Sequence, residues 1–140
     1  MRLVERGYLA LENDVSNYLG WKLRNPLFPK TEITLRMLLD HTSSVRDGDR
    51  YYIDAGEGRL QDFFDPNTDF WDAGAHWADR REEVPGSYFQ YANLNSGLLA
   101  EVIERVSSQR FDQFMEHEVI APLNMTCLLY TSDAADDIPR

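Results

Sequence analysis

Residues 84–106 read V-P-G-S-Y-F-Q-Y-A-N-L-N-S-G-L-L-A-E-V-I-E-R-V, and this stretch says more about the chain than any other. Its second half predicts an amphipathic helix from about residue 95 to 107, because apolar side chains recur at helical spacing. These side chains are Leu98, Leu99, Val102, Ile103 and Val106. Its first half is rich in turn residues and places a Tyr-x-Asn triplet, Tyr91 to Asn93, directly before that helix.

Shorter helices are predicted on both sides of this stretch. Thr34 is a plausible N-cap for a helix over residues 35–40, and Asn13 or Asp14 for one over residues 15–19. A short helix is expected near residues 60–64, and a further one after an N-capping Ser108, ended by Pro122. No β-hairpin is predicted, so the chain reads as helices joined by long loops.

Composition places the chain among globular proteins. Of the 140 residues, 43% are apolar and 12% aromatic, which is too apolar for a disordered chain. No apolar run approaches the roughly 18 residues that span a bilayer. The formal net charge of −10 argues against nucleic acid or an anionic membrane surface as a partner.

Both ends of the chain are unusual. The first residues already follow a helical pattern, so Met1 is interpreted as an internal methionine of a longer reading frame. Residues 127–137 back-translate to a transposon-end adapter used in sequencing libraries. We therefore predict a partial domain over residues 1–126 and a translated adapter tail over 127–140, the alternative being an ordinary acidic tail. The single cysteine, Cys127, falls in this tail.

The Tyr-x-Asn triplet could carry chemistry. A tyrosine acts as a general base only if its phenolate is populated well below the ordinary pKa of about 10, which requires a nearby cation in a partly desolvated site. An asparagine two residues later can place a donor and an acceptor beside the phenol. Taken alone, the triplet favours a core tyrosine followed by a turn asparagine.

The surroundings of the triplet resemble a known family. P-G-x-x-F-x-Y-x-N-x-N at residues 85–95 and A-P-L-N-M at 121–125 follow the spacing of serine β-lactamases and penicillin-binding proteins, as does I-T-L-R-M-L-L-D-H-T-S-S-V at 33–45. Departures from the usual residues occur where this chain has Ala92, Ser96, Ala100, Asn124 and Ser44. The resemblance covers nearly all of residues 2–126.

The resemblance implies a fold and a reaction. The parent protein would be α+β, with helices packed on an antiparallel sheet, and this chain would cover mainly its helical part. The parent would be a serine hydrolase that forms an acyl-enzyme with an amide or ester: a β-lactam, a D-Ala-D-Ala peptide or a simple ester. It would need no cofactor and no metal, and would be periplasmic or secreted; the oligomeric state stays open.

The resemblance also assigns residues. Tyr91 would assist proton transfer to and from the nucleophilic serine, and Asn93 would hydrogen-bond the lysine of an S-x-x-K motif and the substrate amide. That motif is expected before Met1, and a K-[ST]-G or H-x-G strand after residue 126. The 140 residues expressed alone are therefore expected to hydrolyse nothing.

Other residues offer weaker candidates. Ser43 and Ser44 lack an S-x-x-K lysine, and His41 in H-T-S-S is interpreted as a packing and turn element. The histidines are scattered, which disfavours a metal site. Two alternatives remain: a non-catalytic homologue of the same fold that binds a ligand or partner, and an unrelated helical interaction module.

Overall fold

The computed structural model describes residues 1–54 and 56–125, and its regular elements in this part of the chain are helices joined by long loops. Five α-helices occur in it: α1 (Arg2–Glu5), α2 (Ser16–Leu19), α3 (Leu35–Leu39), α4 (Asn93–Ser107) and α5 (Phe111–Met115). Helical turns of other types occupy Leu60–Phe64, Asp69–Gly74, Glu116–Ile120 and Ala121–Leu123. The predicted tail, with Cys127, lies outside the described residues.

Local sequence accounts for the boundaries of the short helices. Thr34 has extended backbone angles and its hydroxyl accepts a hydrogen bond from the Met37 N–H at 3.3 Å, which confirms it as the N-cap of α3. Gly20 ends α2 in the left-handed conformation, with φ +74°. For α2 the predicted cap, Asn13 or Asp14, is wrong: Val15 is the N-cap and makes no side-chain capping bond, although Asp14 accepts from the Ser16 N–H at 3.0 Å.

The long helix α4 begins at Asn93, two residues before the predicted start. Its other end corrects a prediction. Ser108 takes left-handed angles, with φ 56°, and terminates α4 instead of capping α5. The helix α5 then begins after Arg110, whose side chain makes no capping hydrogen bond.

The core forms where α2, α3 and α4 meet. Its fully buried members come from these helices and the segments between them: Val15, Leu19, Leu23, Ile33, Leu35, Leu38, Leu94, Leu98 and Val102. Residues 45–83, an aromatic segment between α3 and α4, contribute Phe63 and Trp77, both almost fully buried. Phe64 packs edge-on against Trp77 at 5.2 Å between ring centroids. This aromatic segment is therefore folded back onto the core.

Within residues 1–54 and 56–125 no β-strand forms. Two isolated antiparallel bridges, Asp14 with Thr34 and Val45 with Trp77, tie loops together. No helix in this range is both long and apolar enough to cross a bilayer. An apolar groove of about 380 Å³ is left open between α1, α4 and α5, with Leu3, Leu99 and Phe114 among its lining residues.

His76 links the aromatic segment to the core, and its burial is expected to make the stability of the fold depend on pH. Its ring is fully buried: Nδ1 accepts the Gly48 N–H at 3.2 Å, and Nε2 lies 3.2 Å from the Phe70 carbonyl oxygen, to which it donates. Burial lowers the pKa of His76 below its ordinary value of 6.5. As pH falls below 6.5, the unfolded chain therefore takes up a proton that the folded chain resists.

We expect the free energy of unfolding to fall as pH is lowered from 7.5 to 5.5. The contribution of His76 is at most about 1.4 kcal/mol for each pH unit below 6.5. Urea unfolding at several pH values measures it, with His76→Gln as the comparison, since glutamine cannot titrate. An equally steep loss of stability in the His76→Gln protein would contradict this assignment.

Candidate active site

Tyr91 and Asn93 lie at the start of α4. Ala92 is the N-cap, with extended backbone angles of φ −145° and ψ 131°, and Asn93 is the first helical residue. The Tyr91 hydroxyl donates a hydrogen bond to Asn93 Oδ1 at 3.2 Å. The tyrosine is 60% exposed and Asn93 is exposed as well, so the pair faces solvent. The two residues that the sequence singled out are thus in contact.

Asp47 holds this pair from a distant loop. One oxygen, Oδ2, accepts both the backbone N–H and the side-chain Nδ2–H of Asn93, each at 2.8 Å. The other, Oδ1, accepts the Leu94 N–H at 3.0 Å. The first N–H groups of a helix have no partner within it, and its N-terminus carries partial positive charge. An anionic side chain from 46 residues upstream therefore caps α4.

His41 lies beneath Tyr91. The two ring centroids are 4.6 Å apart, and the planes are tilted by 36°. His41 Nδ1 is close to two donors, the Ala92 N–H at 3.3 Å and the Asn95 Nδ2 at 3.0 Å. An acceptor at Nδ1 places the ring proton on Nε2. With φ 59° at a turn, His41 has the packing and turn role predicted for it.

A directional chain of hydrogen bonds continues from His41 into the core. Asn95 is fully buried; its Nδ2 donates to His41, and its Oδ1 accepts from the Ser43 hydroxyl at 2.7 Å. The Ser43 oxygen in turn accepts the Val45 N–H at 3.1 Å. His41 Nδ1 accepts twice, and Asn95 and Ser43 each donate once and accept once. This network fixes the H-T-S-S-V segment against the start of α4.

Neither serine of the H-T-S-S segment is hydrogen-bonded to the Tyr91–Asn93 pair. The hydroxyls of Ser43 and Ser44 are turned into the protein: Ser43 donates to Asn95, and Ser44 accepts from the buried Asn25 at 3.2 Å. Within residues 1–54 and 56–125, Asn93 is the one hydrogen-bond partner of the Tyr91 hydroxyl. No three metal-binding side chains cluster in the same range. The site thus offers a tyrosine–asparagine pair that lacks a nucleophile and a cation.

Sequence reasoning missed Asp47 and Asn95. A signal for Asp47 exists in principle, because Ala92 cannot cap α4 and an acceptor must come from elsewhere. The D-G-D turn at 47–49 offers two carboxylates, and nothing in the one-dimensional pattern selects between them. Asn95 lies at the predicted start of the helix, where an exposed side chain would be ordinary, so the sequence does not mark it as buried.

Comparison with known proteins gives a consistent picture. A family model described as Beta-lactamase matches residues 1–140. Protein flp of Staphylococcus aureus (strain N315) is 28% identical over 126 residues, which cover 90% of this chain and 24% of that protein. The D-alanyl-D-alanine-carboxypeptidase/endopeptidase AmpH of Escherichia coli (strain K12) is 27% identical over 135 residues, which cover 94% of this chain and 33% of AmpH.

A solved structure adds a likeness in three dimensions. The octameric penicillin-binding protein homologue from Pyrococcus abyssi superposes with a TM-score of 0.66 at 25% sequence identity, over 99% of this chain and 31% of that one. The chain therefore spans about a quarter to a third of the length of the curated relatives that it matches.

Proposed function

The chain belongs to the β-lactamase family, and from that premise we propose that it carries the second active-site motif of a serine hydrolase that works through an acyl-enzyme. The observation that carries the proposal is the contact between Tyr91 Oη and Asn93 Oδ1 at 3.2 Å on an exposed surface. Two oxygens at this separation can accept hydrogen bonds from one ammonium group placed beside both.

We assign the missing groups to sequence outside these 140 residues. A lysine from an S-x-x-K motif would donate to both oxygens, and a nearby cation favours the phenolate over the phenol. The serine of that motif would attack the carbonyl carbon of the substrate while its proton passes to Tyr91. Tyr91 would then return the proton to the leaving nitrogen or oxygen. Water would then attack the acyl carbon while its proton passes to Tyr91. Tyr91 would return that proton to the serine oxygen as the acid is released.

Asn93 keeps capacity for a second role. Its amide nitrogen has two N–H groups, and Asp47 accepts one of them. The other is free to donate to the carbonyl oxygen of a substrate amide. The proposed substrates that would use this donor are therefore those with a second carbonyl, namely β-lactams and D-alanyl peptides; simple esters, the third class, would not use it. The similarity to AmpH supports the peptide class.

The open apolar groove supports the α+β fold proposed for the longer protein. Helices bury an apolar face against another layer of structure, and in α+β proteins this layer is a sheet. The groove between α1, α4 and α5 presents such a face. The share of the curated relatives that this chain spans leaves room for the sheet.

The decisive experiment extends the sequence and then tests it for a nucleophile. We expect the source locus, sequenced outward, to encode S-x-x-K in frame before Met1. The longer protein should form a covalent adduct with a fluorescent penicillin or with a fluorophosphonate, which loses fluoride to an activated serine. Mass spectrometry should place the adduct on the S-x-x-K serine.

Two controls sharpen this experiment. The 140-residue chain alone and the longer protein with that serine changed to alanine should both stay unlabelled. A longer reading frame without the serine and lysine, or one that has both but is never labelled, would contradict the proposal. The first of these outcomes would favour a ligand-binding homologue of the same fold.

A further inference from the structure

We infer that Asp47 is a positioning residue, which sets the side-chain orientation of Asn93 so that its carbonyl oxygen faces Tyr91. The inference rests on the function proposed for Tyr91 and Asn93, and it names a residue on which that site depends. Its starting observation is that one carboxylate accepts three hydrogen bonds at the start of α4, one of them from the Asn93 side chain.

Chemistry fixes which way the Asn93 amide points. A carboxylate accepts hydrogen bonds and cannot donate them, so the amide nitrogen must face Asp47. The carbonyl oxygen then faces the opposite side, where the Tyr91 hydroxyl lies 3.2 Å away. Reversing the amide would bring two acceptors together at Asp47, whereas the Tyr91 hydroxyl can both donate and accept and would not discriminate between the two orientations. Asp47 therefore selects the orientation that offers an oxygen to a cation.

The backbone contacts make this selection rigid. The Asn93 and Leu94 N–H groups fix both carboxylate oxygens of Asp47, at 2.8 and 3.0 Å. Hydrogen bonds to an ionised acceptor are stronger than those between neutral groups. The next residue, Gly48, is held by its N–H to the buried ring of His76. The carboxylate is thus anchored from the helix on one side and from the core on the other.

Gly48 also explains why the loop can approach so closely. A Cβ atom at this position would lie 2.8 Å from His76 Cε1 and 3.2 Å from Ala75 Cβ. Any larger residue would push the loop outward, and the carboxylate of the preceding residue would move with it. A glycine directly after Asp47 therefore helps to keep the Asp47 carboxylate in place.

The test begins with the Asn93 side chain itself, observed by NMR in the 140-residue chain. In the unchanged protein we expect one side-chain NH₂ proton of Asn93 to be shifted downfield of its ordinary position, because that proton is bonded to the Asp47 carboxylate. Asp47→Asn, which keeps the shape and removes the charge, should shift this signal and speed the exchange of the Leu94 amide. Asp49→Asn makes the same change in the same turn at an exposed residue without these contacts, and should do neither.

A double-variant comparison then separates positioning from general support, in the longer protein that carries the S-x-x-K motif. Asp47→Asn should lower kcat on the order of 10-fold, as expected for a displaced catalytic group. In an Asn93→Ala background the same change should have no further effect, since Asp47 acts through Asn93. A purely structural Asp47 would lower kcat again in that background.

The outcomes distinguish this inference from the proposed function. Asn93 side-chain signals that are unmoved by Asp47→Asn would overturn the inference, whatever the activity. Signals that move, together with a loss of kcat that requires Asn93, would support it. Absence of an adduct in the labelling experiment above would contradict the hydrolase proposal alone, since the NMR result does not depend on turnover.

Discussion

Changing Tyr91 to phenylalanine in the longer, S-x-x-K-bearing protein is expected to lower the rate of acyl-enzyme formation by about 100-fold to 10,000-fold, the usual contribution of a general acid–base group. The change removes one oxygen from a side chain that is 60% exposed and whose hydroxyl contacts Asn93. No buried group loses a partner, so folding should be unaffected. The loss should therefore appear in the rate, with the unfolding midpoint unchanged.

Tyr88→Phe is the matched control for this prediction. Tyr88 lies three residues earlier and is 50% exposed, so the same oxygen is removed from a similar surface position. Its variant should keep full activity. Stopped-flow acylation with a chromogenic ester or cephalosporin measures both proteins. A Tyr91→Phe protein that retains more than half of the rate would exclude Tyr91 as the proton carrier.

Changing Asn95 to alanine is expected to destabilise the fold by about 3 kcal/mol. Asn95 is fully buried, and its amide satisfies the Ser43 hydroxyl and His41 Nδ1. Alanine leaves the Ser43 hydroxyl without an acceptor and opens a small cavity, while His41 Nδ1 keeps the Ala92 N–H. Each buried polar group left unsatisfied costs about 1–3 kcal/mol. Urea unfolding of the variant beside the unchanged protein measures the difference.

Asn93→Ala gives the opposite pattern and serves as the comparison. The two asparagines are two residues apart in one motif, but Asn93 is exposed and Asn95 is not. Asn93→Ala should change stability by less than about 1 kcal/mol, as most exposed substitutions do, and should reduce acylation strongly. Equal losses of stability in the two variants would show that burial does not separate their roles.

Local chemistry made much of the fold predictable. Thr34 as the cap of α3 and the helical turn at Leu60–Phe64 follow from neighbours within four residues, and both are observed. Tyr91 and Asn93 could be singled out as a pair because they are two residues apart, and the resemblance to a family gave them a role. The structure brings their side chains together, while that role stays a prediction.

What could not be predicted depends on partners distant in sequence. Asn93 lies within α4 and not before it because Asp47, 46 residues away, supplies the cap that Ala92 lacks. Ser108 ends one helix and does not begin another, because the geometry of that turn is set by how α5 packs on α4. The antiparallel sheet of the parent protein is proposed from the resemblance. No β-strand forms among the described residues, so this part of the prediction stays untested.

The hydrogen bonds between Asp47 and Asn93 also have an evolutionary consequence. Further hydrogen bonds join the segment at 41–47 to the segment at 86–94. The Gln90 N–H donates to the His41 carbonyl at 2.8 Å, and the Gly86 N–H donates to the Thr42 carbonyl at 2.7 Å. The intervening segment is therefore a closed loop whose ends are fixed independently of its length. Doubling such a loop costs only about 0.6 kcal/mol in closure entropy. Descendants of one ancestral gene can thus vary the exposed parts of this segment, away from the buried Phe63, His76 and Trp77, and so diversify what reaches the tyrosine while the pair is inherited unchanged.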